Sequence, residues 1–98
     1  MAYKLIWAPS ARLDLRELSS YIAESRPEAS ARFVKSVFRT VEPLVKFPES
    51  GRIVPEFSNP AIREVIRKPC RIVYRVKVEE QIIEIVRIWH AARGIPQL

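Results

Sequence analysis

The chain has 98 residues, 48% of them apolar, and 17 Lys and Arg against 11 Asp and Glu leave a formal charge of +6 and a pI near 10.0. That size predicts one domain over residues 1–98, and the apolar share speaks against disorder. Cys70 is the single cysteine; this excludes a disulfide framework and a cysteine-rich metal site, while no apolar run approaches the roughly 18 residues of a membrane span.

Tyr3 to Ala8 reads as a strand, with Tyr3, Leu5 and Trp7 on one face and Lys4, Ile6 and Ala8 on the other. The first residues lack the basic-then-apolar pattern of a signal peptide, so a reducing, cytoplasmic location is expected. Pro9 and Ser10 open a helix in which Ala11, Leu15, Leu18 and Ile22 share one stripe and Arg12, Asp14, Arg16 and Glu17 fall mostly outside it. Ser25-Arg26-Pro27-Glu28 punctuates the chain. Ser25 and Glu28 have capping-box spacing, and Pro27 also suits the first position of a helix. The second helix carries Ala29, Phe33, Val37, Val41 and Leu44 inward. Pro43 should make its last residues irregular by removing a backbone donor. With only a few residues between them, the helices form an antiparallel hairpin.

From Ile62 onward the period changes to two. Strands are expected over 62–68, 71–78 and 81–89, with a tight turn at Glu79-Glu80. In the middle strand Ile72, Tyr74, Val76 and Val78 oppose Arg71, Val73, Arg75 and Lys77. The strand before it opposes Arg63, Val65 and Arg67 to Ile62, Glu64 and Ile66. The last is apolar on both parities, Ile83 and Ile85 against Ile82, Val86 and Ile88, which suits a central position. The expected fold is α+β: an N-terminal strand, then a two-helix hairpin packed on one face of a twisted antiparallel sheet of about four strands.

This parity places Arg63, Arg67, Arg71 and Arg75 together on the open face. Arg52, Arg87 and Arg93 enrich the same half, with Tyr74 and Trp89 as aromatic neighbours. Such a face suits phosphates and stacked bases, and it equally serves to solvate a sheet. His90, the only histidine, ends the last strand in His90-Ala91-Ala92-Arg93. An imidazole there could protonate a leaving oxygen in RNA cleavage, with Glu56 or Glu64 as base, although strand-end histidines are also commonly structural. Tyr74, alternating with Ile72 and Val76, reads as a core residue with a hydrogen-bonded hydroxyl. Neither a cofactor nor a metal is expected: Gly51 stands alone, and one histidine and one cysteine lie far apart.

Over nearly its whole length the chain resembles the RelE/ParE toxin superfamily, the ParE-like branch above all. The residues that carry the resemblance are Ala11-x-x-Asp14-Leu15, Tyr21-Ile22-Ala23, Pro27-Glu28-Ala29, Phe47-Pro48-x-x-Gly51-Arg52, Ile62-Arg63-Glu64, Tyr74-Arg75-Val76, and Val86-Arg87-Ile88 leading into His90-x-x-Arg93. The resemblance implies the toxin of a type II toxin–antitoxin pair. It implies an acidic, partly disordered antitoxin that wraps the helical hairpin, with Leu18, Ile22, Phe33 and Val37 in that surface, and a hetero-oligomeric complex. Two activities stay open. A ParE-like member would poison DNA gyrase without chemistry of its own. A RelE-like member would cut messenger RNA on the ribosome, with Arg63 and Arg75 binding phosphate, His90 as acid, and Arg52, Arg67, Arg71, Arg87 and Arg93 holding nucleic acid. The helical half looks ParE-like, and the C-terminus lacks the tyrosine of many RelE-like nucleases.

Overall fold

In the computed structural model, which describes residues 2–98, two helices cover one face of a five-stranded sheet. The chain runs β1 (Lys4–Trp7), α1 (Pro9–Ala23), α2 (Pro27–Val41), a 3-10 turn (Glu42–Val45), β2 (Arg52–Ile53), β3 (Ile62–Arg67), β4 (Cys70–Lys77), β5 (Ile82–His90) and a final 3-10 turn (Ala91–Arg93). The strand order is β1-β5-β4-β3-β2, with β1 parallel to β5 and every other pair antiparallel. The α+β class and the hairpin-on-sheet layers are as expected. The sheet itself differs, with five strands in place of about four and a mixed rather than wholly antiparallel pairing. Two residues of β2 are too few to show a period of two. The direction of β1 against β5 is set by the helices and strands between them, which no local pattern encodes.

Both helices begin with proline at the first helical position, where its missing N–H has no intrahelical partner to lose. Neither start has a side-chain cap, so Pro27, and not a Ser25–Glu28 box, marks the second. Pro43 acts as expected: α2 stops at Val41 and continues only as the tighter turn of residues 42–45. Ala11, Phe33, Val37, Val41 and Leu44 are buried against Ile72, Tyr74, Ile83, Ile85 and Ile88. Each fully buried branched aliphatic contributes about 1.5–3 kcal/mol to holding hairpin and sheet together.

A bulge sits in the middle of β5. Val73 pairs with Arg87 and Tyr74 with Ile85, so Val86 has no partner on β4. The extra residue reverses the alternation, and Ile88 joins Ile83 and Ile85 beneath the helices rather than Ile82 and Val86 on the far side. Beyond Ile85 the edge of β5 is no longer covered by β1, and α1 takes over. Ser10 Oγ donates to the Val86 carbonyl at 2.7 Å, and the Ile88 N–H donates to Asp14 Oδ2 at 2.9 Å. The β4–β5 connection is a four-residue loop over 78–81, wider than the turn expected at Glu79-Glu80, and Gln81 takes the left-handed conformation at φ 56°.

The helix-free face is partly covered as well. Val54 and Phe57, from the segment after β2, pack with Ala8, Ile62, Val73 and Val86 into a second, smaller core.

Candidate functional site: the arginines of the sheet

Directly opposed residues of an antiparallel pair project to the same side. Arg63 pairs with Tyr74, Val65 with Ile72 and Arg67 with Cys70, and those three partners lie in the core under the helices. Arg63 and Arg67 therefore belong to the helix-covered side, which corrects their expected place beside Arg71 and Arg75. Alternation within each strand is as read; the register between the strands, which decides how two faces match, is a tertiary property. Arg52, Arg71, Arg75 and Arg87 occupy the open side.

Those four are occupied by carboxylates. Arg52 Nε and Arg71 Nε each reach Glu64 at 2.6 Å, and the remaining Arg71 nitrogens clasp Glu56 at 2.9 and 2.7 Å. The Glu64 side chain is fully buried by this clasp. The hydrogen bonds from Arg71 hold the Glu56 carboxyl down at about 2 from its usual 4.5, and the two carboxylates in turn raise the Arg71 guanidinium. Arg87 forms a two-point pair with Asp14 at 2.8 Å on both sides and donates to the Gln97 carbonyl at 2.7 Å. Arg75 is the loosest, 3.9 Å from Glu84, which also meets Lys77 at 3.4 Å.

The other two serve as braces. Arg63 donates to the carbonyls of Gly51 and Pro60, both at 3.0 Å, and pins the chain around β2. Arg67 donates to Ser36 Oγ at 2.6 Å and to the Lys68 carbonyl, and its guanidinium lies 5.7 Å from the Phe33 ring centre.

His90, Arg63 and Arg75 are not brought together. His90 pairs with Cys70, and Arg75 lies five residues further along β4 on the opposite face, about 17 Å away at the usual strand rise. Arg63, opposite Tyr74, is four residues away from that end, roughly 14 Å by the same measure. His90 Nδ1 accepts the Ala92 N–H at 3.1 Å and so caps the final turn. Glu56 and Glu64 spend their oxygens on arginines and are not free to act as bases. Tyr74 is the expected core residue: its hydroxyl accepts the Gly51 N–H at 3.0 Å and donates to the Pro48 carbonyl at 2.7 Å. Trp89 is buried, with the guanidinium carbons of Arg93 and Arg87 at 4.0 and 4.8 Å from its ring and its indole N–H donated to Gly94 O at 3.1 Å. Neither ring is free to stack on a base.

Of the residues expected on the wrapped surface, Phe33 and Val37 are buried and Leu18 and Ile22 pack against the same core. All four face the sheet. An accessible apolar groove of about 540 Å³ lies where Trp7, Leu15, Val34 and Phe38 meet, rimmed by Arg12 and Arg16. The Trp7 and Phe38 rings lie 5.3 Å apart, and Phe38 is 46% exposed. One sequence feature points to it. Val34 and Phe38 widen the apolar stripe of α2 beyond what the core needs. Beside the groove, β1 is an edge strand. Among the described residues, no group of three or more His, Cys, Asp or Glu could hold a metal ion, and no helix is long and apolar enough to cross a membrane.

Comparison with known proteins places this geometry in a family. The sequence profile described as the ParE toxin of the type II toxin–antitoxin system parDE matches residues 5–95. Toxin RelE2 of Caulobacter vibrioides is 30% identical over 90 residues, covering 92% of this chain and 97% of that one. The putative toxin Y4kP of Sinorhizobium fredii is 31% identical over 97 residues, covering 97% and 95%. A chain from the chromosomal ParDE system of P. aeruginosa superposes with a TM-score of 0.74 at 26% identity, over 91% of this chain and 96% of that one.

Proposed function

The chain belongs to the ParE toxin family of type II toxin–antitoxin systems, and on that premise we propose that it inhibits bacterial growth by binding and poisoning DNA gyrase, without cutting RNA itself. One observation carries the choice. The cations that an RNA-cleaving sheet would aim at a scissile phosphate are divided between two faces, and those on the open face are held by Glu56, Glu64, Glu84 and Asp14. Freeing Arg71 for phosphate would take both Glu56 contacts and one of the two arginines from the fully buried carboxylate of Glu64, leaving it with Arg52 alone, and removing partners from a buried carboxylate is destabilising. A binding inhibitor needs no such rearrangement.

The neutralising partner is an acidic antitoxin whose apolar side chains enter the Trp7–Phe38 groove while its carboxylates meet Arg12 and Arg16. The surplus charge of +6 favours its capture. A strand of the antitoxin can add to the open edge of β1, which would satisfy the unpaired backbone groups there.

Expression without antitoxin tests the target. Gyrase-linked double-strand breaks that precede any loss of translation are the expected result, and they should persist undiminished in a His90→Ala variant. Codon-positioned cuts in messages, abolished by the same substitution, would establish the ribosome-dependent endoribonuclease instead.

A further inference from the structure

Gyrase poisoning gives the His90-x-x-Arg93 segment no role. In the fold these residues line a cleft of about 210 Å³ at the end of β5, closed on the other side by Asp14, Glu17 and Tyr21 of α1. Its polar groups divide cleanly. Asp14 is neutralised by Arg87 and the Ile88 N–H. His90 Nδ1 is occupied by the Ala92 N–H, so Nε2 is the ring nitrogen left for a ligand. Arg93 is oriented by its contact with Trp89 and has no carboxylate or hydrogen-bond partner among the described residues. Glu17 makes no hydrogen bond or ion pair among the described residues, although its charge acts on Arg87, and Tyr21, an aromatic residue, is 75% exposed.

The cleft thus offers a guanidinium fork, one imidazole nitrogen, one carboxylate and an aromatic ring. A bare phosphate suits Arg93 but is repelled by Glu17, and a basic side chain meets the reverse conflict. A planar ligand with acceptors on one edge and donors on another satisfies both. Guanine has that pattern: O6 and N7 accept from an arginine fork, and N1–H with the 2-amino group donates to a carboxylate. Adenine lacks the N1–H, and cytosine offers the carboxylate one amino group only. The volume admits a single base and no duplex, and Tyr21 is free to stack on it. We infer that this cleft binds one unpaired guanine base, held by Glu17 and Arg93 against Tyr21. The inference does not depend on whether gyrase or messenger RNA is the target.

Fluorescence anisotropy at fixed, low salt tests it, with labelled tetranucleotides UUGU and UUAU, their deoxy counterparts, and unlabelled guanosine monophosphate as competitor. Binding of the guanine-containing strand should be at least tenfold tighter than that of its adenine counterpart. Glu17→Gln should reduce this preference to less than twofold while shifting the melting temperature by no more than about 2 °C, since Glu17 is exposed and makes no hydrogen bond or ion pair among the described residues. Arg93→Lys should weaken guanine binding about tenfold, because lysine has no fork. If the monophosphate competes as well as the strand, the free nucleotide is the ligand. If it does not and the preference persists, the ligand is a strand, and the ribo and deoxy arms assign which. Equal binding of all strands, or a guanine preference untouched by both substitutions, would overturn the inference.

Discussion

Removing a single oxygen, in Tyr74→Phe, is the sharpest test of how this fold is held. The hydroxyl joins the core to the turn before β2 by accepting the Gly51 N–H at 3.0 Å and donating to the Pro48 carbonyl at 2.7 Å. Phenylalanine keeps the ring, so no cavity opens, and the loss is confined to two hydrogen bonds. Each is worth about 1 kcal/mol net, and the buried Gly51 N–H has no other partner among the described residues, so the variant should lose roughly 2 kcal/mol. For a domain near 100 residues each kcal/mol moves the midpoint by about 4–5 °C, which predicts a fall of roughly 8–10 °C. Thermal melts followed by circular dichroism, with the exposed Tyr21→Phe as control, measure it. A Tyr74→Phe midpoint within about 2 °C of the parent would refute the clamp.

Four other outcomes are expected. Gly51→Ala should destabilise by at least 1–3 kcal/mol, because its Cβ would lie 2.5 Å from the Glu64 carbonyl and 2.6 Å from the Tyr74 hydroxyl; with the carbonyl still in place, adding Tyr74→Phe should not restore stability. Asp14→Asn breaks the two-point pair with Arg87 in a largely buried setting and should cost about 3 kcal/mol in urea unfolding; a double-mutant cycle with Arg87→Met that returned no coupling would contradict it. The Glu56 carboxyl titrates lower in the folded chain, at about 2, than its usual 4.5. Its contribution is therefore complete above pH 4.5 and is lost as pH falls toward 2, and Glu56→Gln should flatten stability against pH in that window. Phe38→Asp should weaken antitoxin binding at least tenfold in calorimetry run well below the variant's own midpoint, and an unchanged Kd would remove the groove from the antitoxin interface.

Local features of the sequence determined a good deal here. Pro9 and Pro27 mark the helix starts and Pro43 ends the second helix, because a missing N–H acts within one turn of its own position. The stripes of Ala11 and of Phe33, Val37 and Val41 identify the buried sides, and alternation in β4 separates Tyr74 from Arg75 correctly. The order of short strings from Ala11-x-x-Asp14-Leu15 to His90-x-x-Arg93 was enough to point to the toxin family.

Tertiary structure decided what depends on the relation between elements. The register of β3 on β4 sent Arg63 and Arg67 beneath the helices, and the Val86 bulge turned Ile88 to the core side, where period-two counting fails by one residue. Asp14 falls outside the apolar stripe of its helix; only the end of β1 short of Ile88 and the approach of Arg87 make it a buried joint. Leu18, Ile22, Phe33 and Val37 had the apolar character of a binding surface, but apolarity alone does not distinguish a surface that meets the sheet from one that meets a partner. The same holds for charge. Composition determines that the chain carries +6, whereas pairing across the sheet determines which arginines keep their charge available and which are held by Glu56, Glu64, Glu84 and Asp14. Net charge is a sum over residues, and an ion pair depends on distances that only the folded chain sets.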